Sequence, residues 1–219
     1  MKFFSLRLPL IICLATTSLS ANADLEPIKP VPVIDIPAQW NKFVDDLLHL
    51  SNQLTSKTPH TTKQRVGGYS NEPEFYNETK YFSDKDNTLT STIQREKRNT
   101  DAIHSIEVFL RDNNGRVYKD FSASYLTKHR NAPIQTLITL HYYNKDLHAF
   151  RVFDASHTRI YEVCRGKLND KKVNIDLDDD YGELAEALED KKGIMSTAEY
   201  KACFGGRKVD KKRLTIPEI

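Results

Sequence analysis

The sequence predicts an α+β protein in which an antiparallel β-meander of five to seven strands packs with an N-terminal helix and two short C-terminal helices. Apolar residues recur at helical spacing between Trp40 and Leu54. They alternate with polar residues from Phe75 to Cys164, and helical spacing returns after Asp179. Helices segregated from a strand-rich stretch are typical of α+β domains. A small closed barrel with flanking helices is the alternative arrangement of these elements.

The chain begins with the features of a secretory signal peptide. Lys2 and Arg7 supply positive charge, a short apolar run follows, and Ala21-Asn22-Ala23 is a small-residue cleavage site. The apolar run is far shorter than the roughly 20 residues that span a bilayer. We therefore expect cleavage after Ala23, a mature chain without a membrane span, and a periplasmic or secreted location.

These patterns divide the chain into four segments. They predict a signal peptide at 1–23, a proline-rich extended leader at 24–37, a single α+β domain at 38–206 and a basic, mobile C-terminal tail at 207–219. Proline fixes φ and lacks a backbone donor, which keeps the leader extended. The length of the remainder suits one domain.

The charge balance bears on the class of partner. The chain holds 32 basic and 30 acidic residues, and removal of Lys2 and Arg7 leaves equal numbers of each. A nucleic-acid-binding domain usually carries an excess of basic residues, so we expect no nucleic-acid partner. An unknown protein or a small-molecule ligand is expected instead.

The N-terminal helix has clear boundaries in the sequence. Asp35 is a suitable cap, Pro37 is tolerated in a first turn, and Lys57-Thr58-Pro59 ends the helix. One apolar stripe should pack on the sheet (Trp40, Phe43, Val44, Leu47, Leu48 and Leu54). The polar stretch from Pro59 to Ser70 is predicted to be a loop.

The strands follow from a period of two. Apolar residues alternate along several segments between Ile106 and Cys164, and short turn signals such as Asp112-Asn113-Asn114-Gly115 separate them. Neighbouring strands joined by such short turns are antiparallel. Phe75–Phe82 and Leu89–Arg95 are less regular and are predicted to be the first strands.

Two short helices are predicted after the sheet. Asp179 and Asp180 place negative charge at the start of the first, and Lys191-Lys192-Gly193 ends it. Ser196-Thr197-Ala198-Glu199 matches a capping box for the second, and Gly205-Gly206 ends that helix.

Three aspartates before the first of these helices have the spacing of a calcium loop. They are Asp176, Asp178 and Asp180. The loop requires a glycine directly after Asp180, but Tyr181 stands there, and glutamate is missing at the twelfth position. A helix start explains the same acids, so we predict no calcium and no cofactor.

Cys164 and Cys203 are the cysteines that remain after removal of the leader. Two cysteines in an exported protein most often form a disulfide bond. Their wide separation differs from the Cys-x-x-Cys spacing of catalytic pairs. We therefore predict a structural disulfide that ties the last helix to a strand end.

His141 and His148 flank a predicted hairpin turn and are the candidate metal ligands. A two-residue turn at Asn144-Lys145 places them directly opposite each other, close enough to share an ion. A turn one residue later pairs His141 with Phe150 instead. The sequence shows no third ligand, and exposed strand histidines are more common than metal sites.

The sequence favours binding over catalysis. It lacks the hydrolase motifs Gly-x-Ser-x-Gly, His-Glu-x-x-His and Ser-x-x-Lys. Five tyrosines fall on predicted strands, where an exposed row would suit glycans or peptides (Tyr118, Tyr125, Tyr142, Tyr143 and Tyr161). We predict a non-enzymatic binding or accessory protein of the bacterial envelope.

The alternative is an exported hydrolase or metal-dependent enzyme with its site near His141 and His148. Asp154 and His157 would contribute to such a site, because all four residues lie near adjacent predicted turns. Catalytic groups that converge only in three dimensions need no local motif.

Overall fold

The computed structural model shows a sheet flanked by helices. It describes residues 35–127, 130–178, 192–206 and 208–218. The predicted signal peptide and residues 24–34 of the predicted leader lie outside these ranges. None of the helices within them has the length and hydrophobicity needed to span a bilayer.

Nine strands pair in chain order to form one antiparallel sheet. Helix α1 (Ile36–Lys57) precedes them, and helix α2 (Ala198–Phe204) and a 3₁₀ helix (Lys211–Leu214) follow. The strands are β1 (His60–Tyr69), β2 (Glu72–Ser83), β3 (Leu89–Glu96), β4 (Ile103–Arg111), β5 (Val117–Ser124), β6 (Gln135–Asn144), β7 (Leu147–Phe153), β8 (Arg159–Leu168) and β9 (Lys171–Asp178). The predicted α+β meander is confirmed, but it has nine strands rather than five to seven.

Helix α1 forms where its signals predict. The Asp35 carboxylate caps it by accepting a hydrogen bond from the Ala38 N–H at 3.1 Å, and Pro37 lies in the first turn. The helix begins at Ile36, just before the predicted domain boundary, and ends before Thr58. Its buried stripe packs against the middle of the sheet (Phe43, Val44, Leu47 and Leu50).

Both helices lie on the same face of the sheet. The core cluster under α1 includes Ile106, Phe121 and Ile138, each alternating with less buried residues along its strand. The cluster under α2 continues along β7 to β9, and Tyr142 packs against both clusters. We call the opposite face, which carries the intervening residues of each strand, the outer face.

Strand β1 occupies the stretch for which the sequence predicts a loop. That prediction is wrong because the side chains of β1 are exposed or half-buried throughout, so no alternation of apolar residues marks the strand. Lys63 and Arg65 suit a sheet edge, where charges discourage pairing with another chain. Glycine is required at Gly68, because a Cβ there would lie 2.1 Å from the Glu72 carbonyl oxygen.

Strand β9 contains acidic residues that the sequence assigns to a helix start or a calcium loop. Ile175 and Leu177 are buried and Asp176 between them is exposed, which is the period of a strand. The Asp176 carboxylate lies 3.7 Å from the Arg165 guanidinium on β8. The helix-start interpretation is therefore wrong for Asp176, whereas Asp180 and most of the predicted helix lie outside the described ranges. The predicted helix end at Gly193 is also wrong, because residues 192–196 are helical.

Helix α2 begins one residue later than the predicted capping box. The Thr197 hydroxyl accepts a hydrogen bond from the Tyr200 N–H at 3.2 Å, and Gly205 ends the helix with a φ of 68°. A disulfide bond between Cys164 and Cys203, with Cα atoms 6.1 Å apart, joins α2 to β8. The predicted cysteine pairing is confirmed.

Residues 208–218, which we call the C-terminal segment, pack on the core although the sequence predicts a mobile tail. Leu214 is 3% exposed and belongs to the cluster under α1. Ile216 packs against the same cluster, and Lys119 Nζ donates to the Thr215 carbonyl at 3.3 Å. The tail prediction is wrong because apolar residues among the basic ones are buried in the core.

Replacing Leu214 with alanine tests this packing. We expect the free energy of unfolding to fall by about 2 kcal/mol, the low end for a buried leucine, because neighbours at the margin of a core can relax. Urea denaturation measures the change. Lys208→Ala, at an exposed position of the same segment, should cost less than about 0.5 kcal/mol. Equal effects of the two substitutions would contradict a packed segment.

Candidate functional site

The register of the hairpin between β6 and β7 determines how close His141 and His148 lie to each other. Its turn lies at Lys145 and Asp146, so His141 pairs with Phe150 in the second of the two predicted registers. The imidazoles still meet diagonally across the strands, with 3.0 Å between His141 Nδ1 and His148 Nε2. The structure thus brings the two candidate ligands together, although not directly opposite each other.

Asp120 on β5 completes what we call the imidazole cluster, Asp120–His141–His148. Its carboxylate lies 2.6 Å from Nε2 of His141, so this nitrogen carries a proton and donates it. In neutral His141, Nδ1 then has a lone pair that faces His148. His148 is exposed, but its neighbours remove part of its hydration; this partial desolvation, followed by the charge of His141, lowers the pKa of the His148 imidazole and favours its neutral form.

Tyr143 is stacked beside the imidazole cluster. The His148 ring lies parallel to it with 4.7 Å between ring centroids, and the Arg116 guanidinium lies 4.7 Å from the Tyr143 centroid. Arg116 directly precedes β5 and His148 lies on β7, so Tyr143 on β6 has a neighbour from each adjacent strand. The Tyr143 hydroxyl donates to the Val117 carbonyl at 2.9 Å. Tyr143 is thus already packed against His148 and Arg116 and anchored through its hydroxyl.

The strand tyrosines are divided between the two faces of the sheet. Tyr125 and Tyr142 lie on the helix-covered face, where the Tyr125 hydroxyl donates to the Asn41 side chain at 2.8 Å. The others belong to the outer face (Tyr118, Tyr143 and Tyr161). These five residues therefore do not form one aromatic platform.

Asp154 and His157 lie at the other end of the sheet from His148. Consecutive turns of a meander fall at opposite ends of the strand between them. His148 and Asp154 lie at opposite ends of β7, which corresponds to a distance of roughly 20 Å. The Asp154 carboxylate accepts two backbone hydrogen bonds within its own turn, both at 2.8 Å. The expected grouping of Asp154 and His157 with the two strand histidines is wrong.

Only two nitrogens converge in the imidazole cluster, because Asp120 faces the far side of the His141 ring. Within the described ranges, no group of three or more histidine, cysteine, aspartate or glutamate side chains is placed to hold a metal ion. Metal binding by His141 and His148, and an enzyme site beside them, stay predictions.

A second candidate site lies on the helix-covered face. It is a cleft of about 590 Å³ between α1 and the C-terminal segment, which we call the α1 cleft. Apolar side chains from α1, β6, the β7–β8 turn and the C-terminal segment line it (Phe43, Leu50, Ile138, Ala155, Leu214 and Ile216).

Polar groups surround the apolar lining of the α1 cleft. Lys42 and Asp46 form an ion pair with 2.6 Å between Nζ and Oδ2, and Nε2 of His49 lies 3.0 Å from Nε2 of Gln53. Glu218 adds a carboxylate from the C-terminal segment. Since Lys42 is already paired, the cleft offers no unpaired lysine to attract an anion.

The β7–β8 turn is fixed to α1 at one side of the cleft. Gln39 Nε2 donates to the Ala155 carbonyl at 2.7 Å, and Trp40 Nε1 donates to Ser156 Oγ at 3.2 Å. His157, with a φ of 64°, follows in the same turn and lines the cleft. Hydrogen bonds between distant parts of the chain therefore hold this wall in place.

Sequence reasoning misses parts of both sites. Asp120 has no local signal, because a strand aspartate is equally suited to solvent. Leu214 and Ile216 give one weak signal, two apolar residues at strand spacing within a basic stretch. Neither the aspartate nor the two apolar residues show, from the sequence alone, which distant part of the chain they contact.

Comparisons with protein-family models, curated proteins and solved structures found no match to this chain. Its function therefore has to be inferred from the geometry of the imidazole cluster and the α1 cleft.

Proposed function

We propose that this chain is an exported, non-enzymatic binding protein that holds a small amphipathic molecule in the α1 cleft. The observation that carries the proposal is the cleft itself, which is lined by buried apolar side chains and edged by polar ones. Its volume of about 590 Å³ falls within the roughly 300–1,000 Å³ of typical small-molecule sites.

The lining indicates how such a ligand is oriented. Phe43, Leu50 and Ile138 are buried and contribute to the apolar lining, where an alkyl chain would lose contact with water. The polar end of the ligand would meet His49 and Gln53 at the opening. Lys42 already neutralises Asp46, and Glu218 disfavours an anionic head, so the proposed ligand has a polar head without negative charge.

Export is part of the same proposal. The signal-peptide features at 1–23 support it, and so does the disulfide between Cys164 and Cys203. Disulfides persist mainly in oxidising compartments such as the bacterial periplasm or the extracellular space.

A fluorescence titration with dodecyl maltoside tests the proposal. Trp40 is the single tryptophan of the chain, and it bonds to the turn that forms one wall of the cleft. We expect a saturable change in Trp40 emission below the micelle concentration. Ile216→Glu should weaken binding at least about tenfold, because it places a charge against the alkyl chain.

Ile134→Glu is the matched control, since Ile134 is 55% exposed and lies outside the cleft. This variant should bind like the wild type, and thermal unfolding should show that both variants are folded. Dodecanoate, with the same chain and an anionic head, should bind more weakly than the maltoside. The proposal fails if no saturable change occurs, or if the two glutamate variants behave alike.

A further inference from the structure

We propose that His141 and His148 together bind one divalent transition-metal ion on the outer face, with Asp120 as the orienting carboxylate. Their facing nitrogens, 3.0 Å apart, come from adjacent strands of a continuous sheet. Neutral imidazole is a common ligand of zinc, copper and nickel. This site is separate from the α1 cleft and does not depend on the function proposed for it.

The distance between the nitrogens allows one ion to reach both. Metal–nitrogen bonds are about 2.0–2.1 Å for zinc, so His141 Nδ1 and His148 Nε2 are closer than the sum of two such bonds. The ion takes the place of the proton between the two nitrogens, and His148 then carries that proton on Nδ1, so both imidazoles remain neutral. A rotation of the His148 ring about χ2 brings both lone pairs onto the ion. Water fills the remaining coordination positions.

Asp120 prepares His141 for this role. Metal-bound histidines usually donate their other N–H to a carboxylate or a carbonyl, which fixes the tautomer and the ring orientation. The contact of 2.6 Å between Asp120 Oδ2 and His141 Nε2 supplies this arrangement. Asp120 is therefore a positioning residue, and the two histidines are the ligands.

The charges near the imidazole cluster are of both signs, because Asp120 lies on one side of it and Arg165 pairs with His148 on the other. Glu107 lies on β4, the strand next to that of Asp120. The Glu107 side chain reaches solvent, but the surrounding protein removes part of its hydration, which raises its pKa. The negative charge of Asp120 raises the pKa of Glu107 further, and the positive charge of Lys80 lowers it. Asp120 and Glu107 attract a cation held by the two histidines on β6 and β7. The opposing charge of Arg165 is reduced by exposure to solvent and by Asp176, 3.7 Å away.

The ligand set also predicts a rank of metals. Two imidazole nitrogens with water suit copper(II), which binds nitrogen and oxygen sites more tightly than nickel(II) or zinc(II) in the Irving–Williams order. We therefore expect copper(II) to bind more tightly than zinc(II), with one ion per chain.

Calorimetric titration of the full chain with copper(II) tests the inference, together with electron paramagnetic resonance of the loaded protein. The wild type should bind one ion and show coupling to two imidazole nitrogens. His148→Ala should weaken binding at least tenfold and lose one of the two couplings. Asp120→Asn should weaken binding about tenfold or more while both couplings remain.

His49→Ala and His157→Ala are the matched controls, because both residues lie in the α1 cleft and away from the imidazole cluster. They should leave copper affinity and the spectrum unchanged. His148 is exposed, so its alanine variant should fold, and circular dichroism checks this. Full copper affinity in His148→Ala, or its loss in either control, would overturn the inference.

Discussion

Arg151→Ala is expected to lower the free energy of unfolding by about 3 kcal/mol, the low end for a broken buried ion pair, because Glu162 keeps only the partly exposed Arg159 guanidinium, 3.2 Å away, as a cationic partner. Both side chains are 1% exposed, and Arg151 Nε lies 2.6 Å from Glu162 Oε1. Arg151 Nη2 also donates to the Tyr200 hydroxyl at 2.9 Å, which in turn donates to Glu162 Oε2 at 2.7 Å. The three residues form one buried network that joins β7, β8 and α2.

Guanidinium denaturation measures the effect. Arg165→Ala is the matched control, because its partner Asp176 is 3.7 Å away and the two side chains are 69% and 55% exposed. Such surface pairs contribute about 1 kcal/mol or less. A loss below about 1 kcal/mol for Arg151→Ala would show that the buried network does not stabilise the fold as described.

The same network perturbs Tyr200. Burial, followed by the hydrogen bond to Glu162, raises the pKa of the Tyr200 hydroxyl to about 12. The hydroxyl therefore remains protonated at neutral pH and can donate to the Glu162 carboxylate. This hydrogen bond helps to stabilise the Glu162 carboxylate, which is buried away from water.

Removing the disulfide should have the second largest effect. In the double variant Cys164→Ala/Cys203→Ala we expect a loss of about 2–4 kcal/mol, because the bond closes a loop with a sequence separation of 39. The cross-link restricts the unfolded chain, and it holds α2 over the cluster that includes Ala149 and Ile175.

Denaturation with and without dithiothreitol checks this expectation. The reductant should lower the stability of the wild type toward that of the double variant, and it should not change the variant. A wild type that is equally stable in both conditions, with both thiols shown to be reduced, would contradict a stabilising role for the bond.

Elements with strong local signals could be predicted from the sequence. Helix α1 has its cap at Asp35 and an apolar stripe, and the central strands alternate around residues such as Ile106 and Phe121. Strand β1 is not predicted because its side chains are exposed or half-buried on both faces, so apolar and polar residues do not alternate along it. Strand β9 is not predicted because closely spaced aspartates such as Asp176 are typical of a helix start, although Ile175 and Leu177 alternate with them at strand spacing.

The candidate sites depend on contacts that local patterns do not encode. The predicted hairpin brings His141 near His148, but the sequence leaves two registers open, because each depends on where the turn begins. Asp120 reaches His141 only through the pairing of β5 with β6. The α1 cleft joins residues near opposite ends of the described chain, such as Phe43 and Leu214.

Methyl NMR of the full chain during a titration with dodecyl maltoside tests the α1 cleft most directly, because it locates the bound molecule. The account predicts shifts at Leu50, Ile138 and Ile216, which line the cleft. Methyl groups of Leu137 and Val163, on the outer face, should not move. Shifts centred on the outer face, or none below the micelle concentration, would contradict a ligand site in the cleft.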